Sequence, residues 1–182
     1  MEHLKGERIK KSILAILSVL ALIALDQFTK LLAVRSLSPA HGGSDRVLWE
    51  GVFRLHYLEN RGAAFGILQG QKVFFVIITI VICLFICWAY LHLLPERRFL
   101  PLRILCVFVL AGAFGNFIDR VRLNYVVDFF YFEWIDFPVF NVADIYVTCA
   151  VFVFVILFLF YYKERDLERI WPGRRKKEEH GV

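Results

Sequence analysis

Four long apolar stretches divide this chain, and the polar residues that break them gather at alternate ends. Val73 to Leu94 is 22 residues of nearly unbroken apolar sequence and Ile145 to Tyr162 is 18, both near the roughly 20 residues an α-helix needs to cross hydrocarbon. Ile13 to Val34 reaches 22 residues only by including Asp26 and Lys30, and Leu102 to Ile118 carries Arg103 at one end and Asn116 at the other. A soluble helix would scatter such residues. With 59% hydrophobic residues and a mean hydropathy of +0.59, an ordinary soluble domain is excluded and the chain belongs in a bilayer.

Threaded back and forth, the four stretches bring four polar strings to one membrane face. DQFTK (Asp26 to Lys30) closes the first helix there, ENRGAAFG (Glu59 to Gly66) precedes the second, AGAFGNFIDR (Ala111 to Arg120) closes the third and FNVAD (Phe140 to Asp144) opens the fourth. Polar and charged groups at membrane depth are expensive and mark function by default. Orientation follows the excess of Lys and Arg in cytoplasmic segments. The amino-terminal tail, the turn between helices two and three and the carboxy-terminal tail (with Lys163, Arg174, Arg175, Lys176 and Lys177) carry fourteen, against seven in the two other loops. Both termini are therefore expected in the cytoplasm and the polar strings on the extracytoplasmic face.

The expected fold is an all-α integral membrane protein, a single membrane domain over residues 1–182. Its helices cover about 13–34, 73–94, 102–118 and 142–162, with outer loops at about 35–72 and 119–141 and a basic cytoplasmic tail at 163–182. In the first outer loop RVLWEGVFRLHYLEN alternates apolar and polar residues around Gly51, the pattern of a small extracytoplasmic β hairpin. An irregular interfacial loop held by Trp49, Phe53 and Tyr57 is the alternative. The second loop, VVDFFYFEWIDFP, is rich in the aromatic residues of membrane interfaces and reads as a short surface helix or flap. The basic start and apolar run to Leu25 imitate a secretory signal, but Asp26 and Gln27 follow instead of a small-residue cleavage pair, so the segment is expected to stay as an anchor.

The net charge of +5 reads as topology and attraction to anionic lipid, with no nucleic-acid role expected. Cys83, Cys87, Cys106 and Cys149 lie in apolar segments as small hydrophobes, and no metal or cofactor is expected: the five histidines are far apart and lack zinc spacing.

The carboxylates sort by their neighbours. Asp26 precedes Lys30 by one turn and Asp119 is next to Arg120, so both are expected to be scaffolding. Asp128 is flanked by Val126, Val127, Phe129 and Phe130, and Asp144 opens helix four without an adjacent base. Two poorly hydrated carboxyls brought together cannot both ionise easily, which gives an acid and a base of the aspartic-protease type. Asn116 and Arg120, at i, i+4, and Asn141 with Asp144, at i, i+3, each share a helix face, so Asn116, Arg120 and Asn141 can orient the pair or a substrate.

DQFTK, NRGAAFG, AGAFGNFIDR, VVDFF and FNVAD, in this order between four spans, resemble the lipoprotein signal peptidases (type II signal peptidases) of bacteria. The resemblance implies an intramembrane aspartic endopeptidase of the cytoplasmic (inner) membrane that removes signal peptides from prolipoproteins, cutting before a cysteine that carries diacylglycerol. It places the catalytic pair on Asp128 and Asp144, supporting roles on Asn60, Gly62, Asn116, Arg120 and Asn141, and a structural motif on Asp26 and Lys30. Ala111 departs from the glycine expected there. Lipidated precursors and membrane lipid are the expected partners, and a monomer the expected state. The alternative is a small proton-coupled transporter that uses the same carboxylates; a metal-dependent hydrolase would need ligands the sequence does not group.

Overall fold

Apolar runs of this length have no compact soluble solution, because each helix would expose its lipid-facing side to water. In a computed structural model that describes residues 2–62, 70–93 and 96–170, they form helices whose apolar side chains point outward: Leu14, Leu84 and Leu91 are each 66% exposed and Phe160 is 83% exposed. Among the described residues, four segments are long and apolar enough to cross a membrane: Ile9–Leu37, Lys72–His92, Arg97–Leu123 and Val142–Tyr161. The protein is a multi-pass membrane protein. The last part of NRGAAFG and the basic residues Arg174, Arg175, Lys176 and Lys177 lie outside the described residues.

Helix α1 covers Glu2–Leu37, α2 Lys72–His92, α3 Leu100–Leu123 and α4 Val142–Ile156, which continues through a π turn at Leu157–Tyr161; a short α5, Glu164–Ile170, follows. Proline in the first turn starts α3, where its missing N–H costs nothing. Asn124, in the left-handed conformation at φ 68°, ends it. Asp119 and Arg120 are thus on α3, where the sequence reading began an outer loop.

Helix α3 is central and packs on α1, α2 and α4. Two glycines set its approach. A Cβ on Gly112 would lie 2.5 Å from the Ala143 carbonyl oxygen and 2.7 Å from Val147 Cγ2 of α4, and one on Gly115 would lie 2.5 Å from Asp26 Oδ2 of α1. Without hydrophobic force between helices in lipid, such close contact supplies the packing.

Strands β1 (Arg46–Trp49), β2 (Phe53–Asn60) and β3 (Val126–Phe132) form one antiparallel sheet in that order. The first outer loop is therefore a hairpin in a mostly helical protein, and the expectation of a surface helix or flap in the second loop is corrected: that loop supplies the third strand and only a 3-10 turn at Glu133–Ile135. The β-branched and aromatic residues of VVDFFYF suit a strand, but Val126 to Phe129 are buried without a break, which hides the alternation by which strands are recognised. The sheet rests on the end of α1 through Ala33, Leu37, Val127 and Phe129. Its far end is tied by Arg54, which pairs with Glu133 and lies 3.7 Å from Asp45.

Candidate active site

With Val127 and Phe129 turned into the α1 cluster, the two-residue period of β3 sends Asp128 to the other side of the sheet. The register pairs Leu58 with Asp128 and Asn60 with Val126, so the Asn60 side chain reaches Asp128 on the diagonal. Its Nδ2 donates to Asp128 Oδ2 at 2.8 Å, while its Oδ1 accepts the Gly62 N–H at 3.0 Å. The turn after β2 thereby fixes which end of the amide faces the acid. Arg120 accompanies this turn, donating to the Gly62 carbonyl at 3.3 Å and lying 4.8 Å from the centre of the Phe75 ring.

Asp144 is held by the start of α4. Asn141 is the N-cap: its Oδ1 accepts the Asp144 N–H at 3.0 Å, and the Asn141 N–H donates to Asp144 Oδ2 at 3.1 Å. This reciprocal capping box uses one carboxylate oxygen. The other, Oδ1, accepts from Asn116 Nδ2 at 2.7 Å, and Asn141 Nδ2 donates to Asp128 Oδ1 at 2.6 Å. Asn141 therefore holds one acid with its backbone and the other with its side chain. Asp128 and Asp144 line the same cavity, of about 420 Å³, together with Asn60, Asn116 and Arg120. Phe137, Pro138, Phe140 and Ile145 form its apolar wall. Burial pushes the Asp128 carboxyl up to about 7; Asp144 adds to the rise, and the amides of Asn60 and Asn141 oppose it.

Behind the cavity lies an ionic cluster. Lys30 Nζ is 2.9 Å from Asp26 Oδ2 and 3.0 Å from Asp119 Oδ2, and donates to Asn116 Oδ1 at 2.8 Å. Asp26 is fully buried, and Lys30 and Asp119 are each 3% exposed. Asp26 Oδ1 also accepts the Ala143 N–H at 2.9 Å in the first turn of α4, where a negative charge is favoured. Asp119 accepts from the Val127 N–H at 3.1 Å and from Gln27 Nε2 at 2.9 Å. The Asp26–Lys30 pair read from spacing is present. Asp119 pairs with Lys30 rather than with Arg120, because Arg120 turns to Gly62. Sequence reasoning missed Gln27 and the reach of Lys30 to Asn116; the one available signal was a glutamine and a lysine at apolar depth beside Asp26. Among the described residues, His, Cys, Asp and Glu form no group of three or more suited to a metal ion.

A family model, that of signal peptidase (SPase) II, matches residues 18–160. The chain belongs to the signal peptidase II family. The signal peptidase II segment contains every residue described at the cavity and in the ionic cluster. The lipoprotein signal peptidase of Streptococcus thermophilus is 43% identical over 152 residues, 82% of this chain and 92% of the relative. That of Caldanaerobacter subterraneus is 43% identical over 148 residues, covering 81% and 97%, and that of Streptococcus pyogenes serotype M1 is 38% identical over 156 residues, covering 86% and 97%. The fold agrees with a bacterial membrane enzyme solved by the in meso method at 2.3 Å resolution: TM-score 0.69 and 31% identity over 82% of this chain and 92% of that one. Signal peptidase II proteins are proteases of lipoprotein processing, so this chain is a membrane-embedded member of a protease family.

Proposed function

We propose that the chain is an intramembrane aspartic endopeptidase of the bacterial cytoplasmic membrane that cleaves diacylglyceryl-modified prolipoproteins just before the lipidated cysteine. The observation that carries this reading is the meeting of Asp128 and Asp144 at one cavity, joined through Asn141. Asp144 accepts a backbone N–H on its Oδ2 in the first turn of α4 and is taken as the base of the pair. Asp128, poorly hydrated and held by neutral amides, keeps the proton. Asp144 then takes a proton from water as the oxygen attacks the peptide carbonyl carbon, while the Asp128 O–H donates to the carbonyl oxygen. When the C–N bond breaks, the proton taken up by Asp144 passes to the leaving amine. Asn116 and Asn141 orient the carboxyls; Asn60, Gly62 and Arg120 hold the rim; Asp26, Lys30 and Asp119 are structural.

The lysine and arginine bias supports cytoplasmic termini and a cavity on the extracytoplasmic side. A substrate with acyl chains suits a site at that depth, because the chains stay in hydrocarbon while the scissile bond reaches the cavity. The chain would act as a monomer. Membership of a protease family speaks against the transporter alternative.

The test uses detergent-purified protein and two precursors, one diacylglyceryl-modified and one unmodified. Asp128→Asn and Asp144→Asn each abolish cleavage of the modified precursor while helical circular dichroism is retained, and the wild type spares the unmodified one. Full activity in either variant removes that residue from the pair.

A further inference from the structure

The end of the bundle remote from the acid pair contains a buried cation that the cleavage chemistry leaves unused. Arg103 lies in the first turn of α3, 13 residues before Asn116, which is about 20 Å of helical rise. Only 8% exposed, it lies with its guanidinium carbon 4.8 Å from the centre of the Tyr90 ring, and its Nε–H has no hydrogen-bond partner. It lines a crevice of about 830 Å³ between α1, α2 and α3, with Leu14, Leu22, Ile104 and Phe108 among its apolar walls. The acids at this crevice are engaged: Glu7 is 3.7 Å from Lys11, and Glu96 pairs with Arg169. Among the described residues neither Arg97 nor Arg103 has an acidic partner.

A buried guanidinium with an unmet donor calls for an anion, and guanidinium fits phosphate oxygens well. The apolar walls call for hydrocarbon, which a free anion leaves unmet. Basic pockets between membrane helices satisfy both demands with a lipid headgroup. We propose that this crevice binds an anionic phospholipid of the leaflet opposite the acid pair, its phosphodiester at Arg103 and Arg97 and an acyl chain along Leu14, Leu22 and Phe108. The inference rests on the four membrane spans and not on the peptidase chemistry, so a failure of either leaves the other standing.

Native mass spectrometry of the delipidated full chain in detergent tests it, with titration by dioleoyl phosphatidylglycerol, dioleoylglycerol or inorganic phosphate. The expected result is one phosphatidylglycerol retained per chain, with dioleoylglycerol and phosphate each bound roughly tenfold or more weakly. Loss of a charge-assisted contact makes Arg103→Gln weaken retention by roughly tenfold or more. Ala15→Leu, which fills the crevice but keeps the arginine, gives the same loss and decides the matter if the first variant loses its helical circular dichroism. Failure to retain phosphatidylglycerol, equal retention of dioleoylglycerol, phosphate binding as strong as the lipid's, or undiminished retention in a folded Arg103→Gln each overturns the proposal.

Discussion

Replacing Lys30 with methionine keeps an unbranched apolar stem one atom shorter than the lysine side chain and removes one charge. That charge sits between two carboxylate oxygens, 2.9 Å from Asp26 and 3.0 Å from Asp119, so the two oxygens are at most about 6 Å apart. At an effective dielectric constant near 20, like charges at that separation repel by about 3 kcal/mol, and removing one partner from a buried ion pair costs about 3–5 kcal/mol. For a chain of this size each kcal/mol moves the melting temperature by roughly 2–4 °C, so Lys30→Met is expected to melt roughly 6–20 °C lower. The assay is thermal unfolding in detergent followed by circular dichroism. Asp119→Asn added to Lys30→Met removes the repulsion while an acceptor for the Val127 N–H remains, and should restore about half of the loss. Cleavage should fall as well, because Asn116 loses the shorter of the two hydrogen bonds that hold its Oδ1, leaving only that from Asn141. A single variant that melts within about 2 °C of the wild type, or a double variant less stable than the single one, would refute the reasoning.

The proton assignment carries a pH dependence: Asp128 must be protonated to act as the acid, and its carboxyl is pushed up to about 7, so cleavage at saturating substrate should decline as pH rises through about 7. Asn60→Ala removes a donor that favours the ionised form, so the declining limb of kcat against pH should move to higher pH; movement to lower pH would contradict the assignment. Gly115→Ala brings a methyl group to 2.5 Å from the immobile Asp26 Oδ2 and should cost about 1–3 kcal/mol by overpacking, measured by the same unfolding assay. Gly6→Ala, inside α1 at a site where an added Cβ meets nothing within 4 Å, should raise stability by about 0.5–1 kcal/mol through helix propensity.

The helices and the two acids were legible because each signal is local. A run such as Val73 to His92 needs no partner to be recognised, and Asp128 and Asp144 stood out by having no cation next to them in sequence. What was not legible depends on contacts across the fold. Asp119 has Arg120 as its neighbour in the chain, yet its cation comes from α1, 89 residues away, because a helix turns Asp119 and Arg120 to different sides. The partner of Asn60 lies one strand over, on a segment whose continuous burial disguised it as a helix or flap. Gln27, next to Asp26 in DQFTK, acquires meaning only when α3 brings Gly115 and Asp119 to it.

The division between the ionic cluster and the acid pair turns on Asn116. Its Oδ1 accepts from Lys30 at 2.8 Å and from Asn141 at 3.1 Å, and its Nδ2 donates to Asp144 at 2.7 Å. A lysine touching Asp144 directly would hold that carboxylate with a full charge and resist its taking a proton from water. An amide between them passes on orientation while the charge of Lys30 stays bound to Asp26 and Asp119, balancing one of their two negative charges in a site that water does not reach. The same three charges that fasten α1 to α3 and to the start of α4 thus fix the direction of a neutral donor, and in the proposed mechanism the neutral donor leaves Asp144 free to take up and return a proton. A charged residue at position 116 would merge the two zones, which is why a side chain with one donor end and one acceptor end suits the boundary between them.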